Sequence, residues 1–202
     1  MKRKFYMCTV IVVVWMLNGS EVLAQHHEKG GGGFEHVHSL AMEAQGRALF
    51  LGAHTGFFLS EDGGRSWQKV ALPAQHSHLD VMAVAPDPRE PKTIYVGTHE
   101  AGIIKSTDGG ATWKEVNSGL GGLDVHGLAI DPNDPRKLHA LVREKGEGIY
   151  RTINGGAKWT RVDDGPGGEV KGLYSVNIST GMGGIFLYAA TAEGLQRNPD
   201  CF

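Results

Sequence analysis

Pairs of residues with polar or metal-binding side chains recur along this sequence, with one residue between the two members. They lie in segments where polar and apolar residues alternate as in β-strands. Side chains two positions apart on a strand project from the same face, so each pair would present both side chains together. Imidazole and carboxylate groups on a rigid rim are suitable ligands for zinc or copper, and a methionine thioether suits Cu(I). The pairs are His36 and His38, Asp80 and Met82, Asp124 and His126, and Glu169 and Lys171.

Further titratable residues lie in turns that follow the next predicted strands: His54, His99, Glu100, Glu144 and Glu193. The sequence therefore predicts a site for a divalent metal, zinc or copper, where these turns meet the pairs, with His26 and His27 as an additional flexible arm. The same side chains would also suit the wall of a wet channel that holds no ligand. His139, inside a predicted strand, fits a packed or surface histidine better than a ligand. The candidate metal ligands are His36, His38, His54, Asp80, His99, Asp124 and His126.

An internal repeat is what would position these residues. Three octets, SEDGGRSW, STDGGATW and TINGGAKW, place Asp62, Asp108 and Asn154 at intervals of 46 residues, and one further step reaches Asp200. Each of the first three repeats contains four short apolar or β-branched segments separated by turn residues. Four strands in a repeat of this length are typical of one propeller blade, so the sequence predicts an all-β propeller of four blades. The strands predicted in the third repeat are Val125–Ile130, Lys137–Val142, Gly148–Thr152 and Trp159–Val162.

The octets have the form S-x-D-x-G-x-x-W and resemble the Asp-box, or BNR repeat, over residues 34–202. Proteins similar in this respect include sialidases, sortilin-type receptor domains, xyloglucan-cleaving glycosidases and Ycf48-like photosystem II assembly factors. The resemblance implies the propeller fold. It leaves the activity open, because these proteins differ widely in what they do.

We predict that the boxes are structural. An Asp or Ser side chain accepts hydrogen bonds from backbone N–H groups in a hairpin turn, the glycines permit left-handed backbone, and the Trp covers packing between sheets. The motif also recurs in every complete repeat, whereas an active site is normally built once. The box residues are Ser60, Asp62, Gly64, Trp67, Ser106, Asp108, Gly110, Trp113, Thr152, Asn154, Gly156 and Trp159.

Strand connectivity separates the boxes from the candidate site. If the strands of a blade are called A to D, the box joins C to D and shares a face with the A–B turns. The opposite face carries the starts of the A strands and the B–C turns, and we call this end of the central channel the mouth. Two carboxylates there could also serve as the acid pair of a glycosidase, with Asp80, Asp124, Glu169 and Glu193 as candidates and no pair preferred. Among the arginines that a sialidase would need, only Arg143 falls at the predicted mouth.

Composition and the first residues of the chain limit the possible functions. The net charge of −2, with no basic cluster beyond Lys2, Arg3 and Lys4, makes nucleic acid an unexpected partner. Residues 1–24 have the pattern of a signal peptide, which predicts export to the periplasm or the extracellular space and no stable membrane anchor after cleavage. An uncleaved anchor is the alternative. Residues 25–33 indicate a flexible linker, and residues 34–202 the propeller domain.

The fourth repeat lacks the box tryptophan and the last strand, which predicts an incomplete fourth blade. An open propeller exposes a blade face, which favours pairing with another chain. The chain could be a truncated member, it could close as a small four-bladed disc, or two copies could complete one another. The mature chain would keep Cys201 alone, so it can form only an intermolecular disulfide. The leading hypothesis is an exported, non-enzymatic propeller that binds a protein partner or a metal ion at its mouth. The alternatives are a BNR-type glycosidase acting on a glycan and a degenerate fragment without its own activity.

Overall fold

The computed structural model describes residues 33–73, 79–166, 169–177 and 185–198, and every regular element in these ranges is a β-strand. The chain divides into two units, residues 1–33 and residues 34–202, and all the strands belong to the second. The predicted signal peptide, the linker up to residue 32 and Cys201 lie outside the described ranges. Among the described residues, no helix has the length and apolar character needed to cross a membrane.

Each of the first three repeats forms a four-stranded antiparallel sheet of consecutive strands, which is one blade. Blade 1 consists of β1 (Val37–Met42), β2 (Leu49–Ala53), β3 (Gly56–Ser60) and β4 (Gln68–Val70). Blade 2 consists of β5 (Val81–Pro86), β6 (Ile94–Thr98), β7 (Ile103–Ser106) and β8 (Lys114–Glu115). Blade 3 consists of β9 (Asp124–Ile130), β10 (Leu138–Arg143), β11 (Gly148–Thr152) and β12 (Thr160–Asp163). The strands predicted for the third repeat are therefore correct to within one residue at each end.

Blade 4 is shorter, as the sequence predicts. Within the described residues it contains three strands, β13 (Val170–Asn177), β14 (Ile185–Thr191) and β15 (Gly194–Asn198). The first strands of all four blades lie innermost and border one central cavity. Inner strands of consecutive blades pack side by side, β1 on β5, β5 on β9 and β9 on β13, whereas no comparable packing joins β13 to β1 in the described part of the chain. The prediction of an all-β propeller of four blades with a short last blade is confirmed.

Each blade presents two apolar faces, a leading face toward the preceding blade and a trailing face toward the next. The trailing face takes residues from the first three strands, such as Ala85, Tyr95 and Ile103 in blade 2. These residues pack against Leu128 and Leu138 on the leading face of blade 3. The other two interfaces follow the same plan, with Phe50 and Phe57 against Val84 and Ile94, and Ala129 and Ile149 against Leu173 and Leu187.

Glycines on the second strands allow the blades to approach closely. A Cβ atom at Gly52 would lie 2.5 Å from Cγ1 of Val81 in the next blade, and one at Gly97 would lie 2.9 Å from Cγ1 of Val125. Both distances are shorter than van der Waals contact, so any side chain here would force the blades apart.

The Asp boxes close the turns between the third and fourth strands. In blade 2, the Ser106 hydroxyl donates to Oδ1 of Asp108 at 2.8 Å and accepts from the backbone N–H of Gly110 at 2.8 Å. Asp108 also accepts from the backbone N–H of Thr112 at 2.8 Å and from its hydroxyl at 2.6 Å. The boxes of blades 1 and 3 repeat this arrangement around Asp62 and Asn154.

The box tryptophans attach each blade to the segment before it. Trp159 is buried, and its indole N–H donates to the carbonyl of Val116 at 2.7 Å, at the end of the preceding blade. Trp113 packs edge-on against Phe57 of blade 1 with ring centres 5.6 Å apart, and Trp67 packs against Phe34 at 5.8 Å. These contacts tie the turn both to itself and to the neighbouring blade, and the stability of box variants tests the predicted structural role.

We expect Asp108→Ala to lower the melting temperature more than Asp108→Asn, because Asn154 already fills this position in blade 3 with an amide oxygen as acceptor. Hydrogen bonds from Thr112 and Ser106 lower the pKa of Asp108 to about 2. Its contribution to stability is therefore present above the unfolded pKa and is lost as the pH falls toward 2, and Asp108→Asn should remove this dependence. Thermal unfolding followed by circular dichroism at pH 7 and pH 2.5 measures both effects. Equal losses for the two variants at pH 7 would contradict the expectation.

Candidate functional site

The mouth of the propeller is a cavity of about 700 Å³ lined by histidines from the first three blades. The starts of the inner strands and the B–C turns meet there, as the connectivity predicts. The boxes lie elsewhere, since Asn154 and Gly155 border a depression shared with the A–B turn residues Asp87 and Asp134. The polar residues that line the mouth are His36, His38, His54, His99, His126, Arg143, Glu169 and Lys171.

A β-bulge at the start of each inner strand sets the direction of one side chain in each pair. The register of β1 with β2 shifts between Val37 and Ser39, which leaves His38 as the extra residue. The same shift in blade 3 leaves His126 between Val125 and Gly127. Met82 and Lys171 occupy the equivalent bulge positions in blades 2 and 4. Bulges redirect side chains at the rims of β-structures, and here they supply the second residue of every pair to the mouth.

The most compact group in the mouth is formed by His99, Asp124 and His126. Oδ1 of Asp124 lies 2.7 Å from Nδ1 of His99 and 2.8 Å from Nε2 of His126. The two imidazole rings meet edge-on, with centres 5.4 Å apart. One ligand atom from each residue lies within 4.8 Å of the other two, as a shared metal ion would require. Asp124 is buried, whereas His99 is open to the cavity.

Two structural features hold this group, which we call the Asp124 triad, in place. His126 and Asp124 belong to β9, so the sheet of blade 3 fixes their backbone. His99 comes from the B–C turn of blade 2, and its backbone N–H donates to the carbonyl of Asp80 at 3.1 Å. The triad therefore bridges two blades, and its geometry depends on the packing of β5 against β9.

The environment moves the pKa values of the two triad histidines in opposite directions. The hydrogen bond to Asp124 raises the pKa of His99, and the nearby charges of Asp124, Asp80 and Glu100 add to this effect. Burial lowers the pKa of His126; Asp124 opposes the shift, whereas Arg143 and His99 add to it. A neutral imidazole is a metal ligand, so His126 is already in the appropriate form near neutral pH.

A second group in the mouth consists of three histidines of blade 1 and Asp80, which directly precedes β5 of blade 2. The ring of His54 is 4.6 Å from the ring of His38 and 4.8 Å from that of His36, and its Nε2 is 3.9 Å from Oδ2 of Asp80. Nε2 of His38 is buried and has no hydrogen-bond partner among the described atoms. Burial and then the charge of His54 lower the pKa of His38, which leaves a neutral imidazole with an available nitrogen. We call His36, His38, His54 and Asp80 the blade 1 group.

The structure divides the predicted metal ligands between these two groups. His38 and His126 occupy equivalent positions, but each has its contact partner in a B–C turn, His54 for the first and His99 for the second. Glu169 forms an ion pair with Lys171, and this contact lowers its pKa. Glu100, Glu144 and Glu193 are exposed in turns and are not among the described residues that line the mouth. His139 is buried in β10, in agreement with its interpretation as a packed histidine.

A family model described as photosynthesis system II assembly factor YCF48 matches residues 34–182 of this chain. The chain belongs to this YCF48 family. The matched segment includes the inner strands of all four blades and both groups of mouth residues. No curated protein matches the sequence.

Solved structures of larger propellers are similar to the YCF48-family chain. The GH74 enzyme of Niastella koreensis is 23% identical with a TM-score of 0.61, over 85% of this chain and 29% of that one. The GH74 xyloglucanase of Xanthomonas campestris is 22% identical with a TM-score of 0.59, over 85% of this chain and 30% of that one. A structure of YCF48 bound to D1 peptide is 17% identical with a TM-score of 0.56, over 82% of this chain and 52% of that one. At these identities the likeness shows the fold alone, and this chain spans 29%, 30% and 52% of these three proteins.

Proposed function

We propose that this chain is an exported, non-enzymatic propeller whose mouth binds a divalent transition metal ion. The Asp124 triad carries the proposal, because it places two imidazole nitrogens and one carboxylate oxygen within 4.8 Å of one another around an open cavity. Two histidines and one carboxylate are a ligand set that zinc accepts, with a fourth position left for water or another ligand. The proposal of export rests on residues 1–24, whose pattern is that of a signal peptide.

The triad needs little rearrangement to accept an ion. Ligand atoms bound to one zinc ion at about 2.0–2.1 Å lie roughly 3.3 Å apart in a tetrahedral site. His99 and His126 already face the same carboxylate oxygen at 2.7 and 2.8 Å, so small side-chain rotations would open space for the ion. The three histidines of the blade 1 group line the same cavity, and Nε2 of His38 has no hydrogen-bond partner among the described atoms, so this group could supply an additional ligand or hold a second ion.

Copper is the competing ion for this site. Copper(II) binds nitrogen ligands more tightly than zinc in the usual order of divalent metals. The thioether of Met82 lines the same cavity, and this soft ligand favours Cu(I). Zinc and copper therefore both belong in the test.

The test is equilibrium dialysis of the full chain against zinc and against copper(II), with the variant His99→Ala/His126→Ala alongside. We expect the wild type to bind at least one ion per chain and the variant to bind at least tenfold more weakly. A matched control is His38→Ala/His54→Ala, which also removes two mouth histidines but leaves the Asp124 triad intact. It should retain one bound ion per chain.

A second control, His139→Phe, removes a histidine remote from the mouth and should bind as the wild type does. Far-UV circular dichroism checks that each variant keeps its β-structure. If the folded wild type binds neither metal, or if both double variants lose binding equally, the triad is not the site. The first outcome would leave the mouth histidines as channel lining.

Capture of a protein partner at the mouth is the second candidate function. The observation that favours it is the similar fold of YCF48, which has been solved with a bound D1 peptide. In this chain Arg143 and Lys171 would supply the positive charge for a peptide carboxylate, since both line the cavity. Binding of a D1 peptide that is lost in Arg143→Ala/Lys171→Ala and retained in His99→Ala/His126→Ala would favour this candidate over metal binding.

Among the three functions considered, glycoside hydrolysis has the least support from the residues of the mouth. A glycosidase needs one carboxylic acid with a raised pKa and a second carboxylate at a fixed distance from it. Asp124 is engaged by two histidines, and Lys171 lowers the pKa of Glu169, which is opposite to the shift that a general acid needs. Release of reducing sugar from xyloglucan that disappears in Asp80→Asn, with the fold unchanged, would revive this alternative.

A further inference from the structure

The leading face of blade 1 exposes residues whose equivalents are buried in every other blade. Val37 is 51% exposed and Leu40 is 64% exposed. Both lie on β1, at the positions that face the preceding blade in the rest of the propeller. The equivalents of Val37 are Val81, Val125 and Val170, and those of Leu40 are Val84, Leu128 and Leu173, all of them buried.

The trailing face of blade 4 shows the same contrast. Tyr174 on β13 is 61% exposed and Leu195 on β15 is 70% exposed. The position of Leu195 is held by Phe57, Ile103 and Ile149 in the other blades, and each of these is buried against the next blade. The position of Tyr174 is held by Ala85 in blade 2 and by Ala129 in blade 3, and both of these alanines are buried. Blade 4 thus presents an apolar trailing face that no described residue covers.

These two exposed faces are complementary to each other. All three interfaces within the chain join a trailing face to a leading face with the same positions in contact. In the described residues, β13 and β1 have no packing comparable to that of the other inner strands, and Val37 and Leu40 stay exposed, so blade 4 does not cover the leading face of blade 1 of its own chain. The geometry points to a second copy of this chain as the occupant, with blade 4 of each copy packed on blade 1 of the other.

This arrangement closes on itself. Two arcs of four blades related by a two-fold axis along the channel would form a ring of eight blades, which is within the range that propellers adopt. Each interface is head to tail, but the ring needs only two copies, so it does not continue into a filament. The two sets of mouth histidines would then surround one channel.

The outer part of the blade 1 leading face is already covered by its own chain. The ring of Phe34 packs edge-on against Phe58 at 5.0 Å and against Trp67 at 5.8 Å. The exposed residues Val37 and Leu40 lie on the inner strand of the same blade. Blade 4 has three strands among the described residues, and Tyr174 and Leu195 lie on its first and third strands. The exposed residues of both faces therefore include residues of the inner strands.

The test measures the mass of the full chain by light scattering after gel filtration, at concentrations from about 1 to 100 μM. We expect about twice the 21.7 kDa of one chain for the wild type. Leu40→Glu and Leu195→Glu should each be monomeric, because each places a charge in the buried centre of the interface. Both side chains are exposed in a single chain, so neither variant should lose its fold. Ile153→Glu is the matched control, since Ile153 is 63% exposed in a box turn and should leave the dimer intact.

A mixture of Leu40→Glu and Leu195→Glu tests the head-to-tail order. In the mixture, the unaltered trailing face of the Leu40→Glu variant can pack on the unaltered leading face of the Leu195→Glu variant. The mixture should therefore form a dimer that neither variant forms alone. A monomeric wild type at all concentrations would overturn the proposal and assign the faces to a different polypeptide. Dimers that resist both substitutions, or a mixture that stays monomeric although each variant is folded, would overturn it as well. Growth into larger polymers would show that two copies do not close the ring.

Discussion

Trp159→Ala is expected to lower the free energy of unfolding by about 3–5 kcal/mol, the range found when a large aromatic residue is removed from a core. Trp159 is 1% exposed and belongs to the cluster that joins blades 2 and 3. Its indole N–H donates to the carbonyl of Val116, and its backbone N–H donates to the carbonyl of Ser118 at 2.8 Å. The substitution would leave a cavity and remove the hydrogen bond to Val116. A loss of this size is a large part of the total stability of a typical domain.

Urea unfolding followed by far-UV circular dichroism measures the effect without depending on tryptophan fluorescence. Trp159→Phe separates the two contributions, because it keeps a ring in the core but removes the indole donor, and it should cost about 1 kcal/mol for the hydrogen bond plus the smaller volume. Trp67→Ala is the matched control in the box of blade 1, where the ring is only half-buried. Equal losses for Trp67→Ala and Trp159→Ala would contradict the role of burial between blades.

His139→Phe is expected to make the protein more stable than the wild type by about 2–3 kcal/mol at pH 4.5, with little difference at pH 7. Burial, assisted by the charge of Arg151, lowers the pKa of His139 to about 4. The unfolded chain protonates this histidine near pH 6.5, whereas the folded chain resists protonation until about pH 4. The contribution of neutral His139 to stability is therefore fully present above the unfolded pKa, and it is lost as the pH falls from the unfolded pKa to the folded one. Phenylalanine cannot be protonated, so the variant does not show this loss of stability at low pH.

The repeat supplies the reason why phenylalanine should fit. The position of His139 on the second strand is held by Phe50 in blade 1, Tyr95 in blade 2 and Tyr188 in blade 4. His139 also borders a cavity of about 240 Å³ between blades 3 and 4, which can accept a larger ring; Asp163 and Arg197 line the same cavity. Urea unfolding at pH 7 and at pH 4.5 gives the difference for each protein.

The reciprocal variant is Phe50→His, which buries an imidazole at the equivalent position of blade 1. It should become less stable than the wild type by a larger margin at pH 4.5 than at pH 7. If His139→Phe and the wild type lose the same free energy between the two pH values, folding does not lower the pKa of His139, and the expectation is contradicted.

Local patterns explain how much of the fold is visible in the sequence. The octets around Asp62, Asp108 and Asn154 repeat at a constant interval, and the hydrogen bonds of these three central side chains join residues at most four positions apart. Strand boundaries in the third repeat are predictable for the same reason, because turn residues separate short apolar segments. The connectivity of four strands then places the boxes and the mouth on opposite faces.

The pairing of the candidate ligands could not be predicted in the same way. His38 and His126 occupy equivalent positions in the repeat, and the sequence therefore places them together. In the structure, His38 contacts His54 and His126 contacts His99. Two effects decide these contacts: the bulges that redirect His38 and His126, and the rotation of one blade relative to the next, which brings the B–C turn of blade 2 to the start of β9. One signal in the sequence accompanies the bulge, a polar residue directly after a valine. This residue is His38 after Val37 in the first repeat and His126 after Val125 in the third.

By itself, the sequence determined the repeat unit, the four blades of residues 34–202 and the end of the channel where titratable residues collect, whereas the structural role of the boxes stays a prediction. These follow from interactions between residues close in the chain, which leave a periodic pattern. The tertiary structure alone decided that Asp124 gathers His99 and His126, and that Val37, Leu40, Tyr174 and Leu195 remain uncovered. Both depend on how separate blades face one another, because a residue on a blade face is buried or exposed according to what packs against that face.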